Sequence, residues 1–476
     1  MKKNSDNQNY LGLLAILCLA IFVDALDGSI VDISLPYIAQ DFNVDIGTVS
    51  WVAMIYFLVI SSLLLPFSKV IESHGTKNVF VGGYLIFTLS SLICGFSGDI
   101  WMLIISRFLQ AVGGAMMAAA VPAMVVTRLP VAIRGRAFGI IMSVVGVACM
   151  AGPALGGIIT HYISWHWIFF INVPVGILGL LSAIRYIPDD EIFRKRGTFD
   201  YPGMVLLFVT FVTFLFALTR GSELGWQSML IIACIITSLV SGIAFIVWEN
   251  RQKDPVLEVG IFRKASFALT VLSSLMMIML QGGILFLIPF YLQKVMGMTA
   301  DVAGFFMLLL PLTMIIGGPL AGFLSDRHGC RIVCSVAAIL GIVACLLLVH
   351  GVGGGGMPYL VAGMLTFGAS TGAFSSACSS RIIEQSPEGK KVTGSAITNL
   401  NYYVGMAMGT AVFTLIFQET VSRGLGIGSG LAVAEIPVEL YSSGIYLAFS
   451  GMVIGSVAVL ISSLAVKDVC VAQETE

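Results

Sequence analysis

Charge is what this sequence has least of. Charged residues make up 11% of the chain, against about 25% in a typical soluble domain. Apolar residues make up 58%, and the mean hydropathy is +0.98. A length of 476 residues would otherwise suit about two or three soluble domains, but so little charge cannot coat water-facing globules. The formal net charge of -1 leaves no basic surface to neutralise phosphates, so nucleic acid is excluded as a partner. No phosphate loop of the GxxxxGKS type is present, so ATP bound by this chain is not the energy source. The nine cysteines show no CxxC pairing of the metal-binding kind and read as small membrane-packing residues, so neither metal nor cofactor is expected. No nucleophile, base and orienting group stand at a recognisable spacing, which argues against an enzyme. No small-residue cleavage site follows the polar stretch 1–10, so the first apolar segment is expected to remain.

Apolar length is what the chain has. A bilayer core of about 30 Å needs about 20 mostly apolar residues per helix. That template fits fourteen times, over 11–32, 48–70, 78–97, 101–126, 136–160, 165–187, 202–219, 228–248, 267–290, 302–324, 332–350, 357–382, 394–417 and 440–466. Unpaired backbone groups are prohibitively costly in hydrocarbon, and the segments are twice the length of a barrel strand, so they read as helices. The expected fold class is an all-α polytopic membrane protein with fourteen transmembrane helices. With the N-terminus in the cytoplasm, all Lys and Arg residues except Arg107, Arg220, Lys294 and Arg423 fall on the inner side. That is the bias expected of cytoplasmic loops, and the even span count places the C-terminus inside too.

One loop repeats. Glu72, His74, Gly75 and Lys77 recur as Asp326, His328, Gly329 and Arg331, offset by 254 residues. Span 9 is then the counterpart of span 1. The expected organisation is a six-helix bundle over 1–190, two inserted spans with their linkers over 191–265, and a second six-helix bundle over 266–476. Parallel six-span halves commonly surround a midplane site. The inserted pair has no acid or base within its apolar stretches and reads as a structural or lipid-facing addition.

The few charges inside spans are therefore informative. Asp24 and Asp27 lie three residues apart and share a helix face. Arg107 lies inside span 4, where a guanidinium normally faces a cavity or an acid. Ionised carboxylates are costly in hydrocarbon, which suits groups that exchange a proton. Asp27 is the expected proton-coupling residue. Asp24 either shares the proton or cation, or merely hydrates or pairs with Arg107, and Asp32 is placed near the outer mouth. The second half has no acid well inside a span. Its polar candidates Gln281, Gln293, Asn399 and Asn401 can hydrogen-bond a substrate but carry no charge, and the two asparagines serve equally as interhelical glue. His161 and His166 read as interfacial. The 30 Phe, 13 Tyr and 22 Met residues suit an adaptable apolar pocket or lipid-facing helices alike.

Several of these segments resemble a known family. Leu26-Asp27-Gly28-Ser29-Ile30-Val31-Asp32-Ile33-Ser34-Leu35-Pro36 resembles the LD-x-T-I-V-N-V-A-L-P element of the fourteen-span drug:proton antiporters of the major facilitator superfamily, with Asp27 at the position of the family's membrane acid. Gly322 to Arg331 resembles the superfamily's G-x-L-a-D-r-x-G-r-r/k loop. Its earlier copy, Ser68 to Lys77, lacks the leading Gly and carries Glu72 for Asp. Arg107 to Gly114 is similar to R-x-x-Q-G-x-G-x. Gly146, Gly152, Pro153, Gly156 and Gly157 are similar to the antiporter pattern of span 5, and Trp165 to Pro174 to a signature of the fourteen-span group.

The resemblance implies a secondary active transporter, a proton-coupled exporter of lipophilic or cationic drugs working by alternating access. Its partners would be a small-molecule substrate, protons and the lipid bilayer of the cell (inner or plasma) membrane, with no obligate protein partner evident. Glu72, Gly75, Lys77, Asp326, Arg327, Gly329 and Arg331 would form a cytoplasmic gate, an acid at a helix end facing basic residues across a tight Gly turn. Two alternatives stay open: export of an endogenous metabolite, amino acid, peptide or lipid, and a non-transporting sensor or assembly partner. Three costly charges at Asp24, Asp27 and Arg107 argue against the second.

Overall fold

The computed structural model describes residues 2–189, 200–252, 259–385, 391–425, 433 and 435–466. Its helices are α1 (Lys2–Ile30), α2 (Leu35–Asp41), α3 (Ile46–His74), α4 (Thr76–Gly95), α5 (Ile100–Arg128), α6 (Val131–Tyr162), α7 (Trp167–Phe170), α8 (Asn172–Tyr186), α9 (Tyr201–Leu224) and α10 (Met229–Glu249). They continue with α11 (Ala265–Phe290), α12 (Ala300–Met307), α13 (Leu309–His328), α14 (Cys330–His350), α15 (Met357–Gln385), α16 (Lys391–Leu425) and α17 (Val438–Ala465). Polar residues placed just ahead of apolar runs start several of them. Asp45, Asp99, Asp200 and Ser228 each accept a backbone N–H from the first turn of α3, α5, α9 and α10, satisfying donors that have no partner within the helix.

Among the described residues, thirteen helices are long and apolar enough to cross a membrane. The chain is an all-helical polytopic membrane protein. The expected twelfth span, 357–382, lies in the 29-residue α15, whose Gly, Ser and Thr residues dilute its apolarity. The first span departs from expectation. The sequence suggests an end near residue 32, but a short 3-10 turn at Asp32–Ser34 leads directly into α2, and the apolar helical stretch runs from Tyr10 to Asp41. Pro36 sits in the first turn of α2, where its missing N–H costs nothing, so it redirects the chain without ending the span.

The helices pack in two matching sets. In the first, α1 lies against α6 and α8, α4 against α5 and α8, and α3 against α5; in the second, α11 lies against α16 and α17, α14 against α15 and α17, and α13 against α15. The sets meet where α3 touches α16 and where α6 touches α12 and α13, while α9 leans on both α3 and α16 and pairs with α10. At one end of the bundle, the hairpin end, Gly75 joins α3 to α4 with φ 84° and ψ 154°, and Gly329 joins α13 to α14 with φ 84° and ψ 150°. Only glycine takes such a backbone without strain. At the opposite, far end the sets are joined by hydrogen bonds. Gln293 Nε2 donates to the Ile33 carbonyl at 2.9 Å, Lys294 Nζ to Gln40 Oε1 at 3.3 Å, and Val433 N to the Val44 carbonyl at 3.2 Å.

Candidate functional site

Three helices converge on one carboxylate. Asp27 on α1 is 0% exposed and Arg107 on α5 is 1% exposed. The Arg107 Nη1 group forms an ion pair with Asp27 Oδ2. The other carboxylate oxygen accepts from Gln110 Nε2 at 2.9 Å and from Asn172 Nδ2, at the start of α8, at 2.7 Å. Arg107 also donates to the Val52 carbonyl at 3.0 Å and to Gln110 Oε1 at 2.8 Å, and Gln110 donates to Ser91 Oγ at 2.8 Å. The guanidinium carbon stands 4.2 Å from the Tyr56 ring centroid and 5.8 Å from that of Phe169. A charge at membrane depth is costly unless paired. Here the pair, its hydrogen bonds and the aromatic faces supply what water would.

Asp24, one helical turn earlier, has a different setting. It is buried, and its Oδ1 accepts from Tyr56 Oη at 2.5 Å. A phenol can donate to a carboxylate or accept from a carboxylic acid, so this partner suits both protonation states. From the second set, Tyr403 of α16 packs near Phe57 with ring centroids 6.4 Å apart and lies beside Tyr402 at 5.5 Å. Of the two arrangements left open by the sequence, the structure gives Arg107 to Asp27 and Tyr56 to Asp24. Asp32, expected near a mouth, is buried in the turn between α1 and α2.

The span 5 pattern forms the seam beside this cluster. A Cβ placed on Gly157 would fall on the backbone of Ala300, and one on Gly156 on the Ile30 carbonyl. These positions let α1 and α12 touch the α6 backbone. Gly152 faces Ser29 and Ile30, Gly146 lies in ordinary contact with Ile315, and the carbonyl of Pro153 meets Gly304. Ser29 Oγ donates to the Leu26 carbonyl at 3.1 Å and to the Ala148 carbonyl at 3.4 Å.

At the hairpin end, Lys77 Nζ lies 2.7 Å from Asp189 Oδ1, tying the start of α4 to the residues after α8. Its counterpart Arg331 donates to the Leu464 carbonyl at 2.7 Å, tying the start of α14 to the end of α17. Arg327 stacks over Phe323 at 4.3 Å. The side chains of Glu72 and Asp326 lie outside the described residues. Of the second-set candidates, Gln281 is buried on α11, Asn401 donates to the Val271 carbonyl at 3.2 Å as interhelical glue, and Asn399 is exposed. His166 bonds Ser164 Oγ at 2.8 Å and stacks on Trp165.

Sequence reasoning missed Tyr56, Gln110 and Asn172 as partners of the acids, and Ser91 as the acceptor behind Gln110. Gln110 was signalled by its place three residues after Arg107, on the same helix face. Asn172 stood in a recognised motif with no indication of which helix it faces.

A buried arginine–carboxylate cluster within the first of two matching sets of apolar helices marks an integral membrane protein, and comparison with known proteins gives the family. The model of the Major Facilitator Superfamily matches residues 17–410, and this chain belongs to that superfamily. It is thus a membrane transporter and not an enzyme. It is 30% identical over 410 residues to the riboflavin transporter RibZ of Clostridioides difficile (strain 630), covering 86% of this chain and 89% of that protein. It is also 30% identical over 352 residues to multidrug resistance protein 3 of Bacillus subtilis (strain 168), covering 73% and 67%. Among solved structures, a peptide transporter POT in complex with sulfate superposes with a TM-score of 0.67 at 14% identity, covering 94% of this chain and 93% of that one. That last likeness concerns the fold alone.

Proposed function

We propose that this transporter is a proton-coupled exporter of lipophilic, cationic compounds, working by alternating access in the cell membrane. The observation that carries the reading is the Asp27–Arg107 pair held by Gln110 and Asn172. An acid and a base buried together at depth are of little use to a passive bundle. One feature of the cluster suits proton exchange in particular. Asn172 Oδ1 is buried and has no hydrogen-bond partner, while its Nδ2 donates to Asp27. Protonation of Asp27 gives it an O–H, and a turn of the Asn172 amide then offers that O–H an acceptor. Asp24, with the two-way partner Tyr56, is the site for the cation or a second proton. Relatives named as multidrug proteins support the substrate class.

The architecture that goes with this reading has fourteen spans, counting α15, and both termini in the cytoplasm. Residues 1–190 and 266–476 form two six-helix halves that rock about the seam made by Gly146, Gly152, Pro153, Gly156 and Gly157. Residues 191–265 are inserted between them. Glu72, Gly75, Lys77, Asp326, Arg327, Gly329 and Arg331 form the cytoplasmic gate. Thiol labelling tests the topology: Gly353→Cys should react from outside and His328→Cys from inside. Reaction of both from one side rejects the span count. Coupling is tested in proteoliposomes with an imposed pH gradient and tetraphenylphosphonium as the probe. The intact protein should accumulate the cation against its gradient, and the Asp27→Asn protein should not.

A second reading has its own observation. The riboflavin transporter matches more of this chain than the multidrug protein does, and Tyr56, Phe57, Tyr403 and Tyr402 form a run of neighbouring aromatic rings that begins at the hydrogen-bond partner of Asp24. Export of a flat heteroaromatic metabolite fits those faces. Riboflavin in the same proteoliposome assay separates the two.

A further inference from the structure

The inserted helix α9 belongs to neither matching set, and its composition suggests a structural or lipid-facing addition. Its far end does not face lipid. Thr219 is fully buried, and Arg220 beside it is largely so. Arg220 Nη1 lies 3.5 Å from Asp45 Oδ2, and Nη2 donates to Thr48 Oγ1 at 2.8 Å. Asp45 is the residue that caps α3, accepting Thr48 N at 3.0 Å. Trp51, also on α3, donates to Thr219 Oγ1 at 3.2 Å.

The second set reaches the same carboxylate. Gln418 of α16 is buried beside Asp45. In one amide orientation its Nε2 donates to Asp45 Oδ1 at 3.4 Å. In the other it donates to the Thr219 carbonyl at 2.9 Å and accepts from Gly47 N at 3.3 Å. Either way Gln418 bridges α16 to α3 or α9. Trp226, just past α9, donates to Glu419 of α16 at 2.9 Å. A narrow cleft between Asp45, Phe417, Val421 and Ile436 borders the cluster. Here a charge pair, a helix cap and a bridging amide stand side by side.

We infer that Arg220 is a positioning residue of the transport cycle: the inserted helix supplies the cation that holds Asp45, and with it α3, against α16 while the far end is closed. This rests on the alternating-access reading proposed above, but its test needs no substrate and so stands apart from the export claim. When the far end opens, α3 and α16 separate. Gln418 then leaves the α3–α9 surface, while α9 stays on α3 through Trp51, Thr48 and Asp45. Arg220 favours the closed state by holding Asp45, Gly47 and Thr219 in the arrangement that Gln418 meets only there, without touching substrate.

Val44 and Val433 report closure, because their backbones are hydrogen-bonded across the seam. In a cysteine-free background carrying Val44→Cys and Val433→Cys, oxidation in native membranes should give high disulfide yield. Arg220→Ala should lower that yield about fivefold or more, the range of a coupling contact between two states. Arg220→Lys should largely restore it. Asp45→Asn should lower it comparably while keeping the α3 cap, since Asn caps a helix as well as Asp. Should Arg220→Ala fail to accumulate, Asp45→Asn carries the test alone. Unchanged yield in both variants overturns the inference. So does a lowered yield that tracks a lowered melting temperature and is not recovered by lysine, because that marks a merely structural contact.

Discussion

The two helix sets share a backbone and differ in charge. Gly75 and Gly329 turn with nearly identical dihedrals, and Lys77 and Arg331 each tie the third long helix of their set to the end of its last. The 254-residue offset that relates those loops also carries Asp27 onto Gln281 and the helix cap Asp45 onto Thr299. Both members of each pair occupy the same place in the fold, yet only the first set holds a carboxylate there. Packing therefore does not require the acids, since an amide and a hydroxyl fill the matching positions. The charges of the first set are an added cost, and a cost of that kind points to work done by charge.

That comparison breaks most visibly at Asp27. Asp27→Asn should abolish gradient-driven export and, by leaving Arg107 without its counter-charge, cost about 3–5 kcal/mol of stability, read as a fall in Tm. The double variant Asp27→Asn/Arg107→Gln should recover the Tm but not the export. Recovery of both would make the pair a packing device like its counterpart. Gly157→Val comes next: overpacking against Ala300 should cost about 1–3 kcal/mol and slow transport. Gly139→Val, at a position with nothing within 4 Å, should do neither.

Tyr56→Phe removes the hydroxyl donor to Asp24, a loss of about 1–3 kcal/mol for a buried group left unsatisfied. It should weaken transport of cations more than of neutral compounds, seen as a rise in KM for the cation. Gln281→Leu sharpens the contrast from the other side, because the uncharged counterpart of Asp27 should tolerate it with near-normal coupling in the pH-gradient assay. The smallest effect belongs to Asn401→Ala. Losing one interhelical bond to the Val271 carbonyl should cost about 0.6 kcal/mol, a small Tm shift with transport unaltered.

Much of this was readable in the sequence, for reasons that also explain what was not. Spans are legible because hydrocarbon demands long apolar helices, and Asp27 and Arg107 stood out because charge at that depth is rarely accidental. The continuation of the first span through Asp32 and Ser34 to Asp41 was hidden, since polar residues and Pro36 together look like an end when read locally. Tyr56, Gln110 and Asn172 were hidden for another reason. A tyrosine or amide in a span serves as glue, ligand or lining with equal ease, and only the rotation of each helix decides which. The Arg220–Asp45 pair was hidden because the two residues stand 175 positions apart and neither lies deep in an apolar run.

On the proposed reading, a cation arriving at Asp24 drives off the proton that the first-set acids hold, Asp27 above all. The most direct test is proton release from purified protein in weakly buffered detergent when tetraphenylphosphonium is added, followed with a pH dye. The intact protein should release protons on binding, the Gln281→Leu protein should do the same, and the Asp27→Asn protein should bind with release lost. Undiminished release from the Asp27→Asn protein would contradict the account.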